Sequence, residues 1–132
     1  MGLLNKLFFP KKSGISNYII IDTETTGINP YKDEIIEFGA IKVIDNKIVE
    51  TFCQLVKPRK PISQQITNIN NITNEMVFNA PSINRVLPQF LNFCQDFILI
   101  GHNVDFDTQM ISIACQRFNL PFQNKVIDTC FL

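Results

Sequence analysis

One histidine, no tryptophan and no excess charge of either sign mark this 132-residue sequence by what it lacks. Twelve Lys+Arg balance twelve Asp+Glu, and a net charge of zero argues against a histone-like or polybasic nucleic-acid binder. The single histidine, His102, rules out a His-rich zinc site, and Cys53, Cys94, Cys115 and Cys130 form no C-x-x-C pair. The four cysteines sit among apolar residues, as small buried hydrophobes in a reducing cytoplasm do. No apolar run approaches the roughly 20 residues of a membrane span. Residues 1–16 read as a leader with a short amphipathic stripe of Leu3, Leu4, Leu7 and Phe8. Asn5 and Lys6 interrupt that stripe too early for a signal peptide, and Lys6 stands where N-myristoylation wants Ser or Thr.

What is present is a core. Hydrophobic residues make up 45% of the chain, twelve of them Phe, which excludes a disordered chain and fits one domain. Tyr18-Ile19-Ile20-Ile21 is a short apolar run typical of a buried strand, broken by Thr25-Thr26-Gly27. Glu34–Asp45 and Ile48–Val56 read as two further strands joined by a turn at Asp45-Asn46-Lys47, hence a hairpin. Lys57-Pro58-Arg59-Lys60-Pro61 is a basic loop, by default a solvated turn.

Short helices are expected over Ser63–Asn71 and Thr73–Phe78, the second capped by Thr73. Ile83, Val86, Leu87, Phe90, Leu91 and Cys94 share one helical face after Ser82, with Pro88 expected to kink that helix or end its first turn. Phe97–Ile100 is a fourth strand. Asp105–Phe118 is a helix with Met110, Ile113, Ala114 and Phe118 inward, and Val126–Asp128 is a fifth strand. Three strands, helices, strand, helix, strand is an α/β order with a mixed sheet.

Asp22 and Glu24 lie two apart at the carboxyl end of the first strand, where α/β proteins gather ligands, so both point to one face. At about 6 Å and an effective dielectric of ~20, two carboxylates repel by roughly 3 kcal/mol. A divalent cation removes that cost, and oxygen ligands suit Mg²⁺ or Mn²⁺. A bare D-x-E is more often a solvated turn, so the weight falls on a second cluster. His102-Asn103-Val104-Asp105-Phe106-Asp107 joins the fourth strand to a helix. Asp105 is the expected N-cap, which leaves Asp107 in the first turn as a ligand candidate.

Together, Ile21-Asp22-Thr23-Glu24-Thr25-Thr26-Gly27 and His102–Asp107 resemble the first and second motifs of the DEDD 3′→5′ exonucleases. Similar kin are the proofreading epsilon subunit of bacterial DNA polymerase III and the exonuclease domain of the Gram-positive replicative polymerase. Ile66–Met76 and Ile127-Asp128-Thr129 resemble the family's central segment and fifth-strand signature, so the resemblance covers residues 17–132. It implies a ribonuclease H-like mixed β-sheet flanked by helices. It also implies two-metal hydrolysis of phosphodiester bonds at single-stranded or 3′-terminal DNA, with Asp22, Glu24 and Asp107 as ligands of Mg²⁺ or Mn²⁺. Thr25 and Phe106 match positions that touch the terminal nucleotide, and a replicative polymerase is the implied partner.

The family's third motif, His-x-x-x-x-Asp, does not occur in these residues, since the only histidine is His102. The domain is therefore expected to be C-terminally truncated, with Ile127 and Phe131 exposed. Asp128 is assigned to the strand signature rather than to a ligand's place, and Asn70-Asn71 replace the epsilon subunit's His-Gly. A missing general base costs about 10²–10⁴-fold in rate, so DNA hydrolysis by these residues alone is expected to be slow or absent. The competing expectation is a catalytically inactive module that binds nucleic acid or a polymerase.

Overall fold

The structure, a computed structural model, describes residues 15–131, the side chain of Phe131 excepted. Residues 1–14, most of the expected leader, lie outside it. The elements are β1 (Tyr18–Thr25), β2 (Ile35–Ile44), β3 (Lys47–Leu55), α1 (Gln64–Asn70), α2 (Asn74–Val77), α3 (Ile83–Cys94), β4 (Leu99–Gly101), α4 (Val104–Arg117) and β5 (Val126–Asp128). A single 3₁₀ turn, Thr129–Phe131, follows. The five strands form one mixed sheet in the order β3-β2-β1-β4-β5. β1, β2 and β3 pair antiparallel, while β4 and β5 run parallel to β1.

The three central strands, β1, β2 and β4, bury both faces, which explains their apolar runs, while the edge strand β3 is largely exposed. Ile19 and Ile21 of β1 join Phe38, Ala40, Leu87, Phe90 and Ile111 in the main core, under α3 and α4. Tyr18 and Ile20 point the other way and meet Ile41, Val43 and Ile100. The β2–β3 hairpin turns at Asp45 and Asn46, both with positive φ (51° and 63°) as a two-residue primed turn demands. Asn tolerates that region better than most residues.

Several local expectations are corrected. α3 runs unbroken through Pro88 and buries Val86, Leu87, Phe90 and Cys94 on one face. The inward face of α4 is Val104, Asp107, Met110, Ile111, Ala114 and Cys115; Phe118, just past the helix, packs half-buried against the main core as expected, whereas Ile113 is half-buried and outside that cluster. Cys94 and Cys115 are buried, and burial pushes their thiols up to about 12 and about 11. Cys53, on the edge strand, and Cys130, past β5, are exposed and do not fill the core. Ile127 is half-buried against the Tyr18 face rather than exposed. Among the described residues no helix is long and apolar enough to cross a membrane.

Candidate active site at the carboxyl end of the first strand

The register of the sheet decides which acids meet. Asp22 lies opposite Gly39 and Glu24 opposite Glu37, so Asp22, Glu24 and Glu37 share the face that begins with Tyr18 and Ile20. Glu37 was not singled out in the sequence. Its signal was the hairpin register, which a single strand's alternation does not supply. Burial raises the Glu37 carboxyl above its usual range, and the charge of Asp22 adds to the rise.

Asp107 reaches the same strand end from α4. Its carboxylate accepts hydrogen bonds from the Thr23 amide (3.0 Å) and from the Thr23 hydroxyl. The ladder explains why that amide is available. The Ile19 amide donates to Ile98 at 2.9 Å, and by the two-residue period the Thr23 amide should face β4 as well. However, β4 ends at Gly101, and Asp107 takes the place a longer strand would have filled. Asp107 is only 7% exposed. Burial pushes its carboxyl up to about 6; hydrogen bonds from Thr23 oppose the shift and the charge of Asp22 reinforces it.

The helix that carries Asp107 starts in an unexpected way. Its N-cap is Asn103, in the left-handed region (φ 52°), with no side-chain cap bond of its own. Asp105 is exposed inside the first turn and is not the cap. Asp128, at the end of β5, supplies the acceptors instead: Oδ1 to the Asn103 amide at 3.1 Å and Oδ2 to the Val104 amide at 3.2 Å. It also accepts from the Cys130 amide at 3.0 Å, and these amides, that of Cys130 foremost, hold its carboxyl below its usual range. Gly101 lets α4 approach, since a Cβ there would stand 2.6 Å from Val104 Cγ2 and 3.1 Å from the Ile21 carbonyl oxygen.

The remaining candidates are placed as follows. The Thr25 hydroxyl donates to the Gly27 carbonyl at 2.7 Å, and the Thr25 carbonyl accepts from Asn70 Nδ2 at 3.3 Å, so the end of α1 abuts the site. Phe106 is half-buried against the main core. His102 Nδ1 lies 3.3 Å from the Thr129 hydroxyl and 3.5 Å from Cys130 Sγ, beside the turn rather than at Asp107. Among the described residues, no three His, Cys, Asp or Glu side chains stand close enough to hold a metal ion as placed. Their donor chemistry, all carboxylate oxygen at one strand end, does suit a hard divalent cation.

A mixed sheet in the order β3-β2-β1-β4-β5, flanked by helices and with acids gathered at the end of its first strand, is the ribonuclease H-like architecture of exonucleases. Residues 19–132 match the RNase_T exonuclease family, and the chain belongs to it. The chain is 43% identical over 112 residues to a PolC-type DNA polymerase III of Caldanaerobacter subterraneus subsp. tengcongensis, covering 85% of this chain and 8% of that protein. It is 39% identical over 120 residues to the PolC-type polymerase of Thermotoga maritima, covering 90% and 9%. The chain thus spans less than a tenth of the length of these curated relatives. Among solved structures, exonuclease X in complex with 5′-overhanging duplex DNA superimposes with a TM-score of 0.67 at 34% identity, covering 85% of this chain and 59% of that one. An E. coli ExoI–ssDNA complex matches with a TM-score of 0.76 at 20% identity, covering 86% and 28%, and shares the fold. The expected ribonuclease H-like sheet flanked by helices is therefore the observed architecture.

Proposed function

We propose that this chain is a metal-dependent 3′→5′ exonuclease domain that acts on DNA 3′ ends, in proofreading or repair. The observation that carries the proposal is Asp107: a carboxylate buried beside Thr23, midway between Asp22 and Glu24 in β1, and pushed up to about 6 by burial. A fold selected for stability alone gains nothing from that burial.

In this reading Asp22, Glu24 and Asp107 would hold Mg²⁺ or Mn²⁺, which supplies activation of the attacking water and charge neutralisation at the leaving 3′ oxygen. The chain's own residues do the positioning. Thr23 orients the Asp107 carboxylate through two hydrogen bonds. Asn70 fixes the Thr25 carbonyl and with it the turn after Glu24, beside which a terminal nucleotide would lie. Phe106, half-buried, offers an aromatic edge to a sugar or base without reading sequence. The PolC-type relatives suggest a replicative polymerase as the physical partner.

The test is release of nucleotides from a 5′-labelled DNA strand, with Mn²⁺ titrated by calorimetry in parallel. Metal-dependent shortening from the 3′ end, together with Mn²⁺ binding that Asp22→Ala abolishes, is the expected result. Metal-dependent strand binding without shortening would assign the chain to the inactive-module class. Cleavage indifferent to both metal and Asp22→Ala would refute the proposal outright.

A further inference from the structure

The basic loop after β3 is not a loose turn. β3 is antiparallel to β2 and hence parallel to β1, so residues 57–61 leave the sheet at the same end as Asp22 and Glu24. The Glu34 carboxylate accepts from the Arg59 amide at 3.1 Å, from Arg59 Nε at 3.1 Å and from the Lys60 amide at 3.4 Å. Glu34 is itself tied to the segment after Glu24, since its carbonyl accepts from the Thr26 amide at 2.9 Å and its amide donates to the Thr26 hydroxyl at 3.0 Å. At the loop's other end, the Asn74 side chain bridges the Ile62 amide (2.7 Å) and carbonyl (2.9 Å), pinning the loop to α2. Pro58 and Pro61 stiffen what lies between.

The fixed loop and α2 enclose an open groove of about 290 Å³, walled by Lys57, Arg59 and Lys60 on one side and by Val77 and Phe78 on the other. Three cations fall within four residues of a chain whose net charge is zero, and Glu34 pairs with only one of them, Arg59. Phe78 is 66% exposed, and Lys57 Nζ lies 4.9 Å from its ring centroid. A positive rim over an exposed aromatic face is what a single nucleic-acid strand needs: cations for phosphates and a platform for a base. The volume lies near the roughly 300 Å³ lower bound of ligand pockets, which suits one nucleotide unit rather than a folded partner.

We propose that this groove binds the single strand one or more nucleotides upstream of the 3′ end, with Lys57 and Lys60 on phosphates and Phe78 stacked on a base. The inference rests on the nuclease reading, because a strand whose end is cut must continue away from the acidic site. It adds an anchoring site on the β3 flank of the sheet, separate from the carboxylates.

The experiment is fluorescence anisotropy of a short labelled oligothymidylate in EDTA, over a salt series. Lys57→Ala/Lys60→Ala should reduce the slope of log affinity against log salt by about 1.4, at about 0.7 per lost phosphate contact. Phe78→Ala should weaken binding by about five- to 150-fold at every salt concentration, the equivalent of about 1–3 kcal/mol for one stacked base. All three positions are exposed, and circular dichroism melting will verify that the variants fold. Wild-type affinity and slope in these variants would overturn the groove. So would competition by an acidic peptide but not by unlabelled oligothymidylate. The metal-free binding assay is independent of turnover. Failure of the nuclease reading shows instead as cleavage untouched by Asp22→Ala.

Discussion

Replacing Asp107 by Asn should make the metal-free protein more stable at neutral pH. Burial raises the Asp107 carboxyl from 3.8 to about 6, about two pH units, which corresponds to about 3 kcal/mol between the two protonation states. The sign follows from the direction. A carboxyl whose folded-state value lies above its unfolded value binds its proton more tightly when folded. Its stabilising contribution is complete below pH ~4 and is lost as pH rises through about 6. At pH 7.5 the folded wild type therefore carries an ionised group that the unfolded chain holds more comfortably. Asn keeps an acceptor for the Thr23 amide and hydroxyl and removes the charge.

The assay is urea unfolding of wild type and Asp107→Asn in EDTA, from pH 4 to pH 7.5. The difference between the two proteins isolates Asp107 from other titrating groups, including Glu37, which is shifted the same way, and Asp128, shifted the opposite way. Near pH 4 the difference should be small. By pH 7.5 the variant should be more stable by up to about 3 kcal/mol, a large share of the 5–15 kcal/mol of a typical domain. A difference that stays constant over this range would refute the argument. It would mean that Asp107 is solvated or compensated when ionised.

Two further perturbations probe the approach of α4 to the sheet. Gly101→Ala places a methyl 2.6 Å from Val104 Cγ2 and should destabilise by about 1–3 kcal/mol, read as a lower urea midpoint at unchanged slope. Asp128→Ala removes the acceptor of the Asn103 and Val104 amides, so hydrogen exchange at those two amides should accelerate while that of Phe90 in α3 does not. Unchanged exchange would show that water replaces the carboxylate without loss.

The parts of the fold legible in the sequence are those fixed by local pattern. The Tyr18–Ile21 run, the Asp45-Asn46 turn and the Thr73 cap each depend on residues a few positions apart, and each stands where expected. Pro88 does not end α3, although its local penalty is real, about 3 kcal/mol in a helix interior. Burying Val86, Leu87, Phe90 and Cys94 outweighs it, at about 1.5–3 kcal/mol for each large side chain. Asp105 misled as the expected cap. Cap preference ranks the residues near a helix start, whereas the acceptor that serves α4 comes from Asp128, 24 residues on from Val104. Glu37 was equally hidden, since its place beside Glu24 follows from register across a hairpin.

The acids of this chain fall into two kinds, and the difference bears on function. Glu34 holds the guanidinium and amides of the basic loop, and Asp128 holds three amides that keep its carboxyl low. These charges are stabilised by the protein itself. At the end of β1, burial raises the carboxyls of Glu37, opposite Glu24, and of Asp107, the latter despite two bonds from Thr23. Sequence alternation could place Asp22 and Glu24 on one face, but only the packed structure shows that Asp107 is buried against Thr23, the residue between them. If a divalent cation completes this site, Mn²⁺ must lower the proton affinity of Asp107. The pH-dependent difference between wild type and Asp107→Asn should then shrink or reverse on adding Mn²⁺, because only the wild type gains a bound cation's stabilisation. Persistence of the same difference with and without Mn²⁺ would detach Asp107 from metal binding while leaving its burial argument intact.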